Sequence, residues 1–580
     1  MLTKIIVRNF KRFDDVTIEL GDPVVFIGPN NSGKTTALQA LALWHVGIRR
    51  WQEKRAGKSA PEKRTGVTIN RRDLITVPVP NANLLWRNLH TRKKQDKDPK
   101  KTQNVRIDII VEGITEGKEW KCGLEFDFGN QESFYCRPLL INDDNRMPVP
   151  EDAGKINIAF LPPMSGLAAQ ESRLDTGAIN VRIGEGRTAE VLRNLCYRIV
   201  SEPPNSKIPP ELQPWNKILK NIKELFGAQL NTPEYIPERG EIAMSYSEQG
   251  TDGILDLSAA GRGLHQTLLL LSYLYTNPGS VLLLDEPDAH LEILRQRQIY
   301  QLLVDTAREQ GCQIIAASHS EVILNEAAEK DTLVAFIGSK PHRIDDRGTQ
   351  IKKALREIGY EQYYLSELKG WILYLEGSTD LAILKAFAAI LEHPAREILE
   401  NPFVNYLFNQ PSKVRDNFHG LKEAKTDLVG IALFDRIDSL SSTDQQKDQQ
   451  KGLTMIMWKR REIENYLCYP EVLEKYAMGE GDPDLFSFQN QQIMSECIQD
   501  QIAPVALKNR SDRWWSDVKA SDEFLDRLFE AYFKKLNLPN VMQKNNYHQL
   551  ARLVPKDMID EEIIEKLDAI VAVARKAHSV

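Results

Sequence analysis

The sequence predicts an α/β protein with two domains built on parallel strands, followed by a helical region. Three observations carry this prediction. A glycine-rich loop joins an apolar strand to a helical pattern near Gly28, and later apolar strands end in acidic residues at Asp285 and Asp435. After about residue 470 the apolar residues recur mostly at helical spacing. The length of 580 residues is enough for about three to four domains.

The first element of interest is a phosphate-binding loop. An apolar run at residues 24–27 leads into the pattern G-x-x-x-x-G-K-T, and a helical pattern follows. Glycines let the backbone approach phosphates closely, and the helix N-terminus directs its N–H groups at them. Lys34 is expected to reach the β- and γ-phosphates, and the Thr35 hydroxyl to hold Mg²⁺. The residues expected to bind the nucleotide here are Gly28, Asn30, Asn31, Ser32, Gly33, Lys34, Thr35 and Thr36.

Two later strands are expected to complete this site. One apolar strand ends at Asp285 and Glu286, and a second ends at His319. Buried parallel strands present such side chains together at their carboxyl edge. We expect Asp285 to hold Mg²⁺, Glu286 to polarise the attacking water and His319 to sense the γ-phosphate.

A serine and glycine signature lies between the phosphate loop and these strands. Ser258 and Gly261 precede a long helical run, and a helix N-terminus of this kind can bind phosphate. The order of these four motifs resembles the ABC-type ATPase heads, including the SMC/RecF branch. The resemblance implies ATP and Mg²⁺ as cofactors. It also implies a homodimer or higher oligomer through the heads, in which the signature of one protomer closes over the nucleotide of another.

The predicted head carries two insertions. Residues 49–106 hold 17 Lys and Arg against 5 Asp and Glu, a charge of +12, whereas the rest of the chain sums to -18. This basic insertion, which includes Trp51 and Trp86, is expected to contact a nucleic-acid backbone, with a solvated loop as the alternative. Residues 168–248 carry short helical patterns interrupted by proline pairs and predict a helical insertion for dimerisation or packing.

The second half of the chain carries a different chemistry. An apolar strand ends at Glu376 and is followed by Asp380 in a helical pattern, and a later apolar strand ends at Asp435. Carboxylates gathered at strand ends suit Mg²⁺, which prefers oxygen ligands. Two such ions stabilise the attacking and leaving oxygens in phosphodiester cleavage.

These acids resemble those of a TOPRIM domain. The chain has Glu-Gly-x-x-Asp, then Asp-Arg-x-x-Asp, and then an Arg-x-Ile-Glu-Asn-Tyr-Leu stretch beginning at Arg461. An ATPase head followed by these motifs is the arrangement of the OLD (overcoming lysogenization defect) family of ATP-dependent endonucleases, many of which act in bacterial antiphage defence. The resemblance implies Lys459 as a catalytic cation and Mg²⁺, with Mn²⁺ as the alternative ion. The metal ligands it implies are Glu376, Asp380, Asp435, Asp438 and Glu464.

One mismatch with the TOPRIM pattern concerns the second acid pair. The pattern is Asp-x-Asp, whereas Ile437 stands two residues after Asp435 and Asp438 comes one residue later. On a strand alternate residues share a face, so Asp438 joins Asp435 only if a turn begins at Arg436. A TOPRIM-like fold that does not cleave is therefore the alternative.

Three functional hypotheses follow. The first is an ATP-binding, Mg²⁺-dependent DNA nuclease of antiphage defence, with a head over residues 1–365, a TOPRIM-like domain over 366–470 and a helical region over 471–580. The second is a PARIS-like ATPase sensor or scaffold that assembles an oligomer and regulates a partner defence protein or an RNA or DNA element. The third is DNA repair in the RecF manner, which leaves the acids after residue 375 unexplained.

Composition sets the expected location. Hydrophobic residues make up 42% of the chain and charged residues 27%, which is usual for globular proteins. The longest apolar stretch is shorter than the roughly 20 residues that span a bilayer. We expect a cytoplasmic protein with no membrane partner. The six cysteines include no Cys-x-x-Cys pair, which predicts reduced structural thiols.

Overall fold

The chain divides into two compact units, Met1–Lys352 and Lys353–Val580. No helix within the described ranges is both long enough and apolar enough to cross a membrane. All six cysteines are buried and free, as the sequence predicts. The computed structural model describes residues 1–55, 66–94, 102–142, 145–201, 209–248, 253–328, 330–337, 340–344, 359–407, 409–437, 448–479 and 485–578.

The first unit is a mixed α/β structure. Its strands are β1 (Leu2–Phe10), β2 (Phe13–Glu19), β3 (Val24–Ile27), β4 (Val67–Asn70), β5 (Arg92–Lys94), β6 (Thr102–Asn104), β7 (Ile107–Thr115), β8 (Lys118–Phe128), β9 (Ser133–Pro138), β10 (Ile158–Leu161), β11 (Ala228–Leu230), β12 (Glu234–Ile236), β13 (Glu241–Ala243), β14 (Ser245–Glu248), β15 (Leu255–Asp256), β16 (Val281–Asp285), β17 (Gln313–Ser318), β18 (Thr332–Ala335) and β19 (His342–Arg343). Its α-helices are Lys34–Arg55, Glu151–Lys155, Thr176–Gly184, Leu192–Ser201, Pro214–Phe226, Arg262–Thr276, Ile293–Glu309 and Glu321–Ala327.

A parallel sheet positions the phosphate loop. Its order is β10-β16-β17-β3-β18-β19, in which only the β18–β19 pair is antiparallel. Because β17 lies between β3 and β16 and pairs with both in parallel, the carboxyl ends of these three strands lie at one edge of the sheet. The residues that follow or end them are the ones that the sequence assigns to the ATP site.

Both faces of this parallel sheet are covered. Leu283 of β16 faces a core that contains the helix Lys34–Arg55 and an antiparallel sheet of order β2-β1-β7-β8-β9-β4. Its neighbours Leu282 and Leu284 face a second core with the helix Arg262–Thr276. Alternation along one strand therefore buries side chains on two faces, each worth about 1.5–3 kcal/mol of hydrophobic free energy.

The insertion over residues 168–248 differs from the helical prediction. Three helices are present, but the short strands β11 to β14 follow Gly227, which ends the helix Pro214–Phe226 in a left-handed conformation at φ 68°. Pro233 and Pro237 then interrupt any further helical hydrogen bonding. These strands pair in small antiparallel sheets, so the insertion is mixed rather than helical.

The basic insertion over residues 49–106 also differs in part. Its first residues continue the helix Lys34–Arg55, and residues 56–65 and 95–101 lie outside the described ranges. Trp51 and Trp86 are both buried, and the Trp86 indole donates a hydrogen bond to the carbonyl of Val105. Both rings are therefore unavailable to stack on nucleic acid, and contact by the basic insertion stays a prediction from its charge.

The second unit is built on a small parallel sheet. Its strands are β20 (Trp371–Leu375), β21 (Val404–Tyr406), β22 (Val429–Phe434) and β23 (Leu453–Met457). Its α-helices are Tyr360–Lys369, Ser378–Ile390, Ala395–Glu400, Pro411–Ala424, Pro470–Met478, Leu485–Gln501, Pro504–Lys508, Trp514–Asp517, Asp526–Leu536, His548–Leu553 and Glu561–Ala574.

The sheet order β21-β20-β22-β23 places the two acid-ending strands, β20 and β22, side by side. Alternate residues of both strands enter two different cores, as in a sheet covered on both faces. The larger core also contains the helices Asp526–Leu536, His548–Leu553 and Glu561–Ala574. The segments expected as a TOPRIM-like domain and a helical region thus share one core.

Candidate functional sites

The phosphate loop connects β3 to the helix Lys34–Arg55 through two constrained glycines. Gly28 has φ 153° and Gly33 has φ 110°. A Cβ atom at Gly28 would lie 2.7 Å from the carbonyl oxygen of Phe336, and one at Gly33 would lie 2.9 Å from the ring of Phe13. Only glycine satisfies both the backbone angles and the available space.

The remaining loop residues are arranged around this turn. Asn30 and Asn31 are exposed, and Asn31 has a left-handed backbone at φ 61°. The Ser32 hydroxyl is buried without a hydrogen-bond partner among the described residues. Thr36 is half-buried in the first helical turn. The loop therefore offers polar groups that a bound phosphate would satisfy.

Lys34 turns its ammonium group back toward the loop backbone. Its Nζ donates to the carbonyl oxygens of Gly28 at 2.8 Å and Pro29 at 2.9 Å, and lies 3.4 Å from Nδ1 of His319. Burial lowers the pKa of Lys34 to about 8, and the nearby carboxylate of Asp285 opposes this shift. A phosphate group would supply the negative charge that this buried cation lacks.

The ends of β16 and β17 bring the other predicted residues to the loop. The Thr35 hydroxyl donates to Oδ1 of Asp285 at 3.2 Å, and Nε2 of His319 lies 3.3 Å from Oε1 of Glu286. Burial raises the pKa of Asp285 to about 6, and Glu286 adds to the shift. The Thr35 and Asp285 oxygens are the pair that would hold Mg²⁺ beside the phosphates.

Asp288 is a further acid at this site that sequence reasoning missed. It lines a cavity of about 410 Å³ together with Asn30, Glu286 and His319. Burial raises the pKa of Asp288, and its Oδ1 atom is buried without a partner in the described part of the chain. The pattern Asp-Glu-Pro-Asp could have predicted this, because its fourth residue lies beside the same strand end as the first two.

The signature is presented at the N-terminus of the helix Arg262–Thr276. Ser258 and Gly261 are exposed, and the Ser258 backbone N–H donates to Oδ1 of Asp256 at 2.8 Å. Arg193, which is almost fully buried, donates to the same oxygen at 2.8 Å. One aspartate therefore joins the signature to the insertion.

The second candidate site lies at the carboxyl edge of the sheet in the second unit. Glu376 follows β20, and Asp380 is buried in the first turn of the helix Ser378–Ile390. Asp435 follows the neighbouring strand β22. The structure thus places three of the five acids that the sequence assigns to this site at the same edge of the sheet.

Asn409, which sequence reasoning missed, bridges two of these acids. Its Nδ2 donates to Oε2 of Glu376 at 2.6 Å and to Oδ2 of Asp435 at 3.0 Å. Its Oδ1 accepts from the backbone N–H of Asp435 at 3.0 Å. A single asparagine in a loop has no sequence pattern, so only the fold reveals it.

The carboxyl groups of this cluster repel one another when they are ionised. Burial raises the pKa of Asp380 to about 6, with a contribution from Glu376. Burial also raises the pKa of Asp435, and the adjoining carboxyl of Glu376 adds to the shift. Carboxylates that share a site cannot all ionise without a compensating cation.

Glu464 and Lys544 extend the cluster. Burial raises the pKa of Glu464, with contributions from Glu462 and Asp380, and its Oε1 is buried without a described hydrogen-bond partner. The carboxylates of Glu464, Glu462 and Glu376 raise the pKa of half-buried Lys544, against the effect of burial. Sequence reasoning gave no role to Lys544.

The other predicted residues lie apart from this cluster or outside the described ranges. The Lys459 ammonium is exposed and pairs with Glu565 at 3.0 Å. Arg436 pairs with Asp517 at 2.7 Å, and Ile437 packs against an apolar core. Asp438 is not among the described residues.

The donor set suits a divalent cation, but the side chains are not gathered around one point. Within the described ranges, no three or more His, Cys, Asp or Glu side chains form a group that could hold an ion as they stand. The oxygen donors and the unpartnered Oε1 of buried Glu464 match what Mg²⁺ requires. Ion binding would draw the carboxylates together.

A basic surface lies on the first unit beside β5 and β6. Arg87, Arg92, Lys93 and Arg106 line a cavity of about 840 Å³. Every residue of β5 is exposed. Burial raises the pKa of Asp108, in the same cavity, to about 6, with a contribution from Glu125.

Comparisons with known proteins fall on the first unit. A model described as AAA ATPase domain matches residues 1–48. A second, an AAA domain model whose description names the AbiEii toxin and a type IV TA system, matches residues 158–325. Both matched ranges carry parts of the ATP site. They agree with the phosphate loop and the parallel sheet, which define the class of this unit as a P-loop ATPase domain.

Solved structures that match part of the chain include ATPase heads. The SMC head domain from Thermotoga maritima is 16% identical, with 59% of this chain and 98% of that chain covered at a TM-score of 0.31. An Smc head domain from Pyrococcus furiosus, bound to the C-terminal domain of ScpA, is 14% identical. The match covers 61% of this chain and 99% of that chain, with a TM-score of 0.33. The recombination mediator protein RecF is 12% identical. The match covers 59% of this chain and 98% of that chain, with a TM-score of 0.32. No curated protein matches the chain.

Proposed function

We propose that this chain is an ATP-dependent, divalent-cation-dependent nuclease that acts on DNA, in antiphage defence. The observation that carries the nuclease proposal is that Glu376, Asp380 and Asp435 all lie at one edge of a parallel sheet, and that Asp380 is close enough to buried Glu464 to raise its pKa. These side chains would hold Mg²⁺ or Mn²⁺. The bound ions would supply charge stabilisation to a phosphodiester undergoing cleavage.

The ATPase unit would control that site through its own cycle. Lys34 and Thr35 would bind the phosphates and Mg²⁺ together with Asp285. Glu286 would orient water, and His319, 3.3 Å from it, would respond to the γ-phosphate. The exposed Ser258 and Gly261 would close over the nucleotide of a second copy, giving a homodimer or a larger oligomer.

The central experiment measures DNA cleavage with Mg²⁺ or Mn²⁺, with and without ATP. Glu376→Ala is expected to abolish cleavage while ATP binding stays within about twofold of the unaltered chain, because the two sites use different residues. Glu397→Ala changes an exposed glutamate of the same unit and serves as the control. Cleavage that survives Glu376→Ala would remove the assignment.

A second candidate function is a sensor or scaffold that assembles through the heads and regulates a partner defence protein. The observation that favours it is that no three acids of the described residues are gathered to hold an ion, while an asparagine joins two of them. Absence of metal-dependent cleavage of DNA or RNA, together with ATP-dependent assembly, would support this function over the nuclease.

A further inference from the structure

The loop after β21 places Asn409 between the two acids that end neighbouring strands. This loop is tied to β20, because the backbone N–H of Leu407 donates to the carbonyl of Leu375 at 3.2 Å. It ends at Gln410, which precedes the helix Pro411–Ala424. Asn409 has φ 49°, a left-handed conformation in which asparagine is enriched among residues with side chains. The three hydrogen bonds of the side chain then orient its amide.

The Asn409 side chain uses both of its donor hydrogens and one acceptor position here. Its Nδ2 has two hydrogens, and these are donated to Glu376 and Asp435, one to each carboxylate. Its Oδ1 accepts the backbone N–H of Asp435. A carboxylate in place of the amide could not donate either bond, and an aliphatic side chain could make none of the three.

This bridging amide acts on two carboxylates that repel each other. The strands β20 and β22 are adjacent, so their terminal acids are brought close by the sheet itself. The amide donors offset part of the repulsion and hold one oxygen of each acid, Oε2 of Glu376 and Oδ2 of Asp435. The other oxygen of each carboxylate, Oε1 of Glu376 and Oδ1 of Asp435, is not bonded by Asn409.

We propose that Asn409 is a positioning residue for the divalent-cation site, an inference that rests on the proposed nuclease function. It holds Oε2 of Glu376 and Oδ2 of Asp435, so that the other oxygens of the two acids would be available to a divalent cation. Hydrogen bonds from a second layer of residues to ligating carboxylates commonly contribute 10- to 100-fold to metal affinity. Loss of the Asn409 amide is expected to weaken ion binding by that order.

The test is the Mn²⁺ dissociation constant of the full chain, measured by calorimetry without nucleotide or DNA. Asn409→Ala and Asn409→Gly are both expected to weaken binding by about 10- to 100-fold. The glycine variant removes the amide without straining the left-handed backbone. Asn405→Ala is the matched control, because the Asn405 amide bonds Gln362 and Asn417 rather than the acids.

The outcomes separate this inference from the function on which it rests. If the unaltered chain binds no Mn²⁺, the proposed nuclease function fails. If it binds Mn²⁺ and both Asn409 variants bind equally well or more tightly, the positioning role is overturned while the metal site stands. Weaker binding by the alanine variant alone would indicate backbone strain and would also overturn it. In cleavage assays, the Mn²⁺ concentration for half-maximal rate is expected to rise more than the maximal rate falls.

Discussion

Lys544 lies at the acidic cluster of the second unit, whereas Lys459 does not. The carboxylates of Glu464 and Glu376 raise the pKa of Lys544, whereas Lys459 is exposed and paired with Glu565. A cation beside buried carboxylates can both balance them and meet a phosphate that enters the site. The resemblance implies Lys459 as the catalytic cation, and the structure offers Lys544 as a second candidate for that role.

We expect Lys544→Met to lower metal-dependent DNA cleavage by about 10²-fold, the usual effect of removing one group that stabilises developing charge. Lys459→Met is expected to change the rate by less than about twofold, because its exposed ammonium pairs with Glu565 rather than with the acids of the cluster. Cleavage rates at saturating Mn²⁺ measure both variants. A larger effect at Lys459 would restore the role that the TOPRIM resemblance implies.

Asp108 allows a pH-dependent prediction. Burial and the nearby Glu125 raise its pKa to about 6, so the folded chain binds this proton more tightly than the unfolded chain does. Ionisation of this carboxyl group therefore lowers the free energy of unfolding progressively as the pH rises from about 4 to 6. Asp108→Asn is expected to increase the free energy of unfolding by at most about 3 kcal/mol at pH 7.5, and by about half as much at pH 5.

Urea unfolding of the first unit at the two pH values measures this effect. Asp305→Asn, on an exposed part of the helix Ile293–Glu309, is the control and is expected to show no such pH dependence. If Asp108→Asn raised the free energy of unfolding equally at pH 5 and pH 7.5, repulsion and burial at Asp108 would not be the cause.

At the scale of elements, strand ends were predictable and single connecting residues were not. Continuous apolar runs that end in acids identify buried parallel strands, so Asp285, Glu376 and Asp435 could be assigned from sequence. Asn409 is brought to the acids only by the loop after β21, which no spacing specifies. The strands after Gly227 were missed because segments of three or four residues leave too little alternation to read.

The helix Leu192–Ser201 illustrates how one element acts on another. The Arg193 side chain of this helix donates to the carbonyl of Ala169 at 3.0 Å and to Asp256, which also holds the Ser258 backbone. Glu171 is buried against the same helix and accepts the backbone N–H of Arg193. These hydrogen bonds therefore link the insertion to the signature.

We expect Arg193→Met to lower the rate of ATP hydrolysis by about tenfold while the affinity for ATP changes by less than about threefold. The reason is that Arg193 positions the signature but does not contact the phosphate loop residues Lys34 or Thr35 in the described structure. Lys220→Met, on an exposed helix face, is the control. Steady-state hydrolysis and binding of a fluorescent nucleotide measure the two quantities, and an equal loss in both would contradict the positioning role.

At the scale of the whole molecule, charge is divided unevenly. The net charge of -6 hides a basic stretch of +12 over residues 49–106. In the described part of that stretch, Arg92 and Lys93 lie on the exposed strand β5 beside a large cavity. Since the tryptophans of this stretch are buried, contact with nucleic acid there would depend on charge rather than on stacking.

Replacing Arg92 and Lys93 together by Glu is expected to weaken binding to duplex DNA. It is also expected to reduce the slope of log affinity against log salt concentration by about 2, because each lost phosphate contact removes roughly 0.9 of slope. The double change of Arg575 and Lys576 to Glu alters net charge equally on exposed residues of the second unit and is the matched control. Titrations of labelled DNA across a salt series measure both. If the two double variants lose affinity and slope equally, net charge alone governs binding, and the surface beside β5 is a solvated face rather than a DNA contact.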